Sequence, residues 1–232
     1  RSVIGWSALP GLVVLITLAL VLRGTDPGKG DAPSSTRTAD SADPVDARGR
    51  VLFGPLLALA ALTFFRLPET LLLLRLQQRG VAVALVPLVW AALHVVRSAA
   101  SYPGGWLSDR WGPRATVAAG GVLFATTALG LATGRSTAAA VVVFLAFGLV
   151  AGLTESGERA LIARLAPVRT GRGFGAYHAV TGLAALPAGL VFGALYQWAG
   201  APTALLASAA GMLVAVIAWL AVSPRHSGVV VG

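Results

Sequence analysis

Blocks of about twenty consecutive apolar residues recur along this chain, and they limit its fold more than any other feature. A helix rising about 1.5 Å per residue crosses the roughly 30 Å of bilayer hydrocarbon in about twenty residues. In lipid each block must satisfy its own backbone hydrogen bonds, so each is a helix rather than a strand. The pattern predicts an all-α transmembrane fold with seven spans, at about 3–22, 51–74, 81–102, 115–132, 138–158, 174–196 and 202–222, the first kinked at Pro10. Between the first two spans, 24–50 is rich in Asp, Pro, Ser, Thr and Gly without apolar periodicity and reads as a disordered tether. The last residues, 223–232, form a brief tail.

Composition agrees: 56% of residues are hydrophobic and only 12% charged, against roughly 45–50% and about 25% in a soluble domain. A net charge of +9 invites a nucleic-acid reading, which fails because the basic residues flank the apolar blocks instead of gathering on a soluble face. Their distribution fixes orientation. With sidedness alternating over seven spans, Arg23, Lys29, Arg37, Arg48, Arg50, Arg110, Arg114, Arg159, Arg164, Arg169, Arg172 and Arg225 fall on one side, and only Arg75, Arg79 and Arg135 on the other. The richer side is expected to be cytoplasmic, which puts the first residue outside and the tether and carboxy terminus inside. The partner implied is the lipid bilayer, not nucleic acid. There is no cysteine, and the three histidines (His94, His178, His226) stand far apart, so no metal site and no cofactor are expected. The chain opens on Arg1 with an apolar stretch too long for a good secretory signal, and we expect it to begin inside a longer protein.

After the third span the chain reads Gly104-Gly105-Trp106-Leu107-Ser108-Asp109-Arg110-Trp111-Gly112-Pro113-Arg114, expected to form a tight turn between antiparallel spans. In it Gly105 would let the helices approach, Gly112 would relax the turn, and Arg110 and Arg114 would hold the loop on the cytoplasmic side. This G-x-L-S-D-R-x-G-x-R element, set by Gly105, Leu107, Asp109, Arg110, Gly112 and Arg114, resembles the signature loop of the major facilitator superfamily, where it recurs between the eighth and ninth helices. The segments Leu93-His94-Val95-Val96-Arg97, Thr154-Glu155-Ser156-Gly157-Glu158-Arg159-Ala160-Leu161, Arg172-Gly173-Phe174-Gly175-Ala176-Tyr177-His178 and Leu186-Pro187-Ala188-Gly189 resemble one group of prokaryotic permeases in that superfamily.

The resemblance implies a multi-pass permease of the cell (inner) membrane, moving a small solute by alternating access with proton coupling. It implies a twelve-helix parent of which this chain carries helices six to twelve. On that reading 1–23 ends the amino-terminal half, 24–50 is the cytoplasmic link, 51–222 is the six-helix carboxy-terminal half, 223–232 is a cytoplasmic tail, and the missing amino-terminal half is a required partner. Two departures stand out: Pro113 replaces the loop's usual basic residue, and Arg164 stands where these permeases carry an acid.

Ionisable groups within spans are costly and mark candidate functional sites. Arg66 and Glu69 are i, i+3 neighbours beside Pro68. They are expected to pair on one helix face in the outer half of the second span, as a substrate or proton site or else a structural pair. His94, Arg97 and Ser101 make one stripe on the third span. Arg97 and Glu155 are expected near cytoplasmic span ends and within reach of each other, and Asp109 is expected to pair with Arg159. In family terms Arg97, Glu155, Glu158 and Arg159 form a candidate charge relay that holds one side closed; the alternative is snorkelling of terminal side chains. Glu155 with Glu158, or His178 near the start of the sixth span, could carry a proton. Gly148-x3-Gly152, Gly189-x3-Gly193 and the residues around Gly182 suit close helix packing.

Other classes fit less well. No H-E-x-x-H, G-x-S-x-G or phosphate loop supports an enzyme. A retinal-type receptor needs a lysine in a late span, and the only lysine is Lys29. An inert or partner-dependent fragment without transport is the remaining alternative.

Overall fold

The structure, a computed structural model, describes residues 45–165 and 170–223. The expected first span, residues 24–44 of the tether and nearly all of the tail lie outside the described residues. Five α-helices fill most of the rest: α1 Val45–Phe65, α2 Glu69–Gln78, α3 Val86–Trp111, α4 Pro113–Thr133 and α5 Thr137–Leu165, followed by the long α6 Thr170–Val222. There is no strand among the described residues. Five helical stretches are long and apolar enough to cross a membrane. The last of them contains Gly200, whose φ of 84° breaks the helix. The chain reverses there. Tyr196 reaches Gln78 at one end of the bundle, whereas Ser223 meets Arg114 at the other. Six of the seven expected spans are thereby accounted for.

Two expectations about span limits change. α1 begins at Val45, inside the segment read as a disordered tether, where Ala47, Arg48 and Arg50 are residue types of high helix propensity. The second span is also not one helix. It breaks at Arg66-Leu67-Pro68, where proline has no N–H to donate and disfavours helix in the residue before it. Pro68 is extended (φ −56°, ψ 137°) and the helix restarts at Glu69.

The expected tight turn after the third span is also corrected. α3 runs unbroken through Pro103, Gly104 and Gly105 to Trp111, so most of the loop motif is helix and the reversal is confined to Gly112 (φ 84°, ψ 153°). That conformation is open to glycine and strained for other residues. Proline at the first position of α4 then restarts the helix at no cost in hydrogen bonds.

α4 is the core of the bundle, with twelve buried side chains or glycines from Pro113 to Ala132. It packs on α5 and α6, while α3 packs on α5 and α1 on α6. Trp219, Phe124 and Phe144 are the largest fully buried side chains. The tightest seam is α3 on α5. A Cβ added at Gly152 would lie 2.5 Å from the Ala100 Cβ, and one at Gly104 would lie 2.5 Å from the Gly152 carbonyl oxygen. Gly148 meets the Leu93 carbonyl at 2.9 Å in the same sense. Gly104, not Gly105, is the close-approach residue, since nothing lies within 4 Å of a Cβ at Gly105. On α6 the expected close packing is not found among the described residues: a Cβ at Gly182, Gly189 or Gly193 would meet nothing within 4 Å.

Arginines tie the two ends. Arg75 donates from Nε to the Leu131 carbonyl at 3.2 Å and from Nη2 to the Ala132 carbonyl at 3.1 Å, and Arg79 adds a bond to Ala132. These satisfy carbonyls of the last turn of α4, where a cation also complements the helix dipole. At the opposite end Arg114 donates from Nε to the Ser223 hydroxyl at 3.0 Å and from Nη2 to the Leu220 carbonyl, and the Trp219 indole donates to the Arg114 carbonyl at 2.9 Å.

Candidate functional site

The break in the second span leaves two charged groups halfway along it: Arg66 ends the first segment and Glu69 opens the next within Gly54–Gln78. This corrects the expected outer-half position, because the span continues four residues past 74. It also corrects the expected Arg66–Glu69 pair. Without a continuous helix between them, each turns to a different neighbour. Arg66 Nη2 donates to Glu158 Oε1 of α5 at 3.4 Å, and Glu69 Oε1 accepts from Arg97 Nη1 of α3 at 3.2 Å.

Arg97 is the hub. Its Nη2 donates to Glu155 Oε1 of α5, so one guanidinium joins α2, α3 and α5. The structure brings Arg97 and Glu155 together, but not near helix ends. α3 extends fourteen residues beyond Arg97 and α5 ten beyond Glu155, so both sit deep in their spans. Glu158, one turn further along α5, has a side chain only 4% exposed and accepts on Oε2 from the Tyr177 hydroxyl of α6. Tyr177 completes a polar row from four spans: Arg66, Glu69, Arg97, Glu155, Glu158 and Tyr177. Sequence reasoning gave Tyr177 no role. The available signal was a hydroxyl beside a histidine in an otherwise apolar span.

Arg159 does not pair with Asp109. Its Nη2 lies 3.6 Å from Glu155 Oε2 on its own helix, with the side chain 70% exposed. The cause is register. Ser101 on α3 meets Ser156 on α5, so Asp109 falls level with residue 164, roughly 8 Å beyond Arg159 at 1.5 Å per residue. Asp109 is exposed on the last turn of α3, and Arg110 stacks over the Trp106 ring at 5.3 Å. The two histidines stay outside the row. The His94 Nδ1 lies 3.0 Å from the Trp90 carbonyl, and the exposed His178 rests edge-on against the Tyr177 ring.

No set of three His, Cys, Asp or Glu side chains could hold a metal among the described residues. The row offers three carboxylates and two guanidiniums in two ion-pair sets, Arg66 with Glu158 and Arg97 with Glu69 and Glu155, the second with Arg159 at its edge. Such a row can hold or exchange ions and protons, and it can bring helices together or release them.

Apolar helices that cross a bilayer, short reversals and a mid-span row of paired charges define a multi-pass membrane protein of the transporter class. The profile of the Major Facilitator Superfamily matches residues 70–231, more than half of the chain, and the chain belongs to that family. Its members are transporters rather than enzymes, and this chain is a membrane transporter of that kind. No curated protein matches the chain.

Proposed function

We propose that the chain is the carboxy-terminal half of a secondary active, proton-coupled permease that moves a small solute by alternating access, with the row around Arg97 on the wall of its transport pathway. One observation carries this reading. The side chains of Arg66, Glu69, Arg97 and Glu155 are 23%, 30%, 31% and 27% exposed at mid-span. Charges at that depth are not turned toward hydrocarbon, and face a bundle interior or water. Ser101, one turn from Arg97, is exposed on the same side of α3, which extends a polar surface along the helix.

The unfilled glycines Gly182, Gly189 and Gly193 on α6 support a second helical half packing here. Small residues in a span let backbones approach, as they do where α5 meets α3. Residues 51–222 then form one half, 24–50 the cytoplasmic link, and the span expected at 1–23 belongs to the other half. The arginine count supports an amino terminus outside and a carboxy terminus in the cytoplasm, with the protein in the cell (inner) membrane.

The test is flux. Vesicles holding the chain together with its amino-terminal half are given a pH gradient and a panel of solutes, and proton movement is followed with a pH dye. Solute-dependent proton flux that is lost in Arg97→Ala supports the reading. Flux unchanged in Arg97→Ala removes the row from the pathway.

A further inference from the structure

We propose that protonation of Glu158 makes Arg66 exchange partners, from Glu158 on α5 to Glu69 across the break in its own span. This rests on reading the row as the wall of a proton-coupled pathway, and it names the residue that takes the proton and what moves as a result.

The two ion-pair sets are built differently. Arg97 sits between two carboxylates, Glu69 and Glu155, and keeps one partner if it loses the other. Arg66 has a single carboxylate, at 3.4 Å, and its Nε is buried without a hydrogen-bond partner. Glu158 is also held from its other side, because the Tyr177 hydroxyl donates to Oε2 and leaves Oε1 to Arg66. A proton from water that adds to Oε1 therefore displaces Arg66 while Tyr177 keeps the carboxyl in place.

A guanidinium at mid-span then needs another carboxylate. Glu69, three residues on, is the one that can be released. Arg66 and Glu69 at i, i+3 have the spacing of a helical ion pair, which the kink at Pro68 now holds apart. After the exchange Arg66 pairs with Glu69 and Arg97 keeps Glu155. The cation left without a full partner is Arg159, whose side chain is 70% exposed and can be hydrated. No charge is left bare in the span, and α1 is released from α5.

The groups around Glu158 are few. The break after α1 contributes Arg66, α6 contributes Tyr177 with His178 beside it, and α5 itself contributes Glu155 and Arg159. Glu69 of α2 and Arg97 of α3 act through the next pair along. α4 brings Val117 and the Pro113 backbone against Gly157, and its only titratable residue, Arg114, is engaged with Ser223 and Leu220.

The chain has no cysteine, so spin labels can be placed at will. Leu57→Cys and Leu74→Cys, exposed on either side of the break, report its span-to-span distance by pulsed electron resonance in nanodiscs. Acidification is expected to shorten that distance. Glu158→Gln should give the short distance at both neutral and acid pH, and Glu69→Gln should abolish the shortening. A distance that ignores pH overturns the proposal, as does an acid response that survives Glu158→Gln. If a variant does not insert, infrared difference spectra of the unmodified chain decide. Acidification should raise a protonated-carboxyl band that shifts in Tyr177→Phe; no such band, or one unmoved by Tyr177→Phe, overturns the exchange. An absence of solute-dependent proton flux with the distance change intact would remove the proton-coupled pathway reading and leave the exchange standing.

Discussion

Arg97 of α3 holds Glu69 of α2 with one terminal nitrogen at 3.2 Å and Glu155 of α5 with the other. A single side chain thereby fastens both the restart of a broken span and the helix that carries Glu158. Removing it takes the only ion-pair partner found for Glu69 among the described residues and leaves Glu155 with the exposed Arg159 alone. Breaking a buried pair by deleting one member costs about 3–5 kcal/mol. These groups are near 30% exposed, so screening reduces the expected loss to about 1–3 kcal/mol. Arg97→Ala should lower the thermal unfolding midpoint in detergent, and Arg97→Lys, with one compact charge for two partners, should fall between the variant and the parent.

The α3–α5 seam predicts a contrast between glycines. Gly152→Val drives a branched side chain into the Ala100 backbone, and overpacking of this kind costs about 1–3 kcal/mol or more. A Cβ at Gly189 meets nothing within 4 Å, so Gly189→Ala should not lower the unfolding midpoint of this chain alone. In the complex with a second half the same change should weaken association, read by co-purification.

Arg75 predicts a second contrast, at the opposite depth. It is 7% exposed and satisfies carbonyls at the end of α4. Arg75→Met leaves those acceptors bare, at about 1–3 kcal/mol. The exposed Arg135, in the next reversal, should be replaceable by Ala with no measurable change in unfolding. Thermal unfolding of the two variants side by side checks this.

Orientation is checked by labelling. A cysteine at Ser136, in the reversal carrying Arg135, should react with an impermeant thiol reagent in intact cells, and one at Asp109, exposed on the last turn of α3, only after the membrane is opened. The reverse pattern contradicts the charge-based topology.

How much of this was legible in sequence depends on the physics behind each feature. The six spans within the described residues were, because hydrocarbon thickness sets a length that apolar blocks must meet. Gly112 was legible as a turn, since reversal needs a conformation that glycine alone adopts easily. The rest of the loop motif was misread. Gly104 and Gly105 look like turn residues, yet Gly104 sits mid-helix because Gly152 packs against it, and that contact lies some fifty residues away along the chain. The ion pairs divided along the same line. Arg97 with Glu155 follows from a shared depth in their two spans, although that depth was expected near the cytoplasmic ends and lies further in. Arg66 with Glu69 follows from i, i+3 spacing but fails at Pro68, whose effect on direction is not readable locally. Asp109 with Arg159 failed by one helical turn, which only the register of α3 on α5 decides.

The most direct test of a polar pathway beside Arg97 is water access at mid-span. In the cysteine-free chain, Ser101→Cys on the Arg97 side of α3 and Val214→Cys on the exposed apolar side of α6 are each treated with a water-soluble maleimide in vesicles containing both halves. A pathway predicts rapid labelling at Ser101→Cys, slowed in the presence of transported solute, and almost none at Val214→Cys. Equal protection of both positions would show that the row of charges is sealed from water and serves only to hold the helices together.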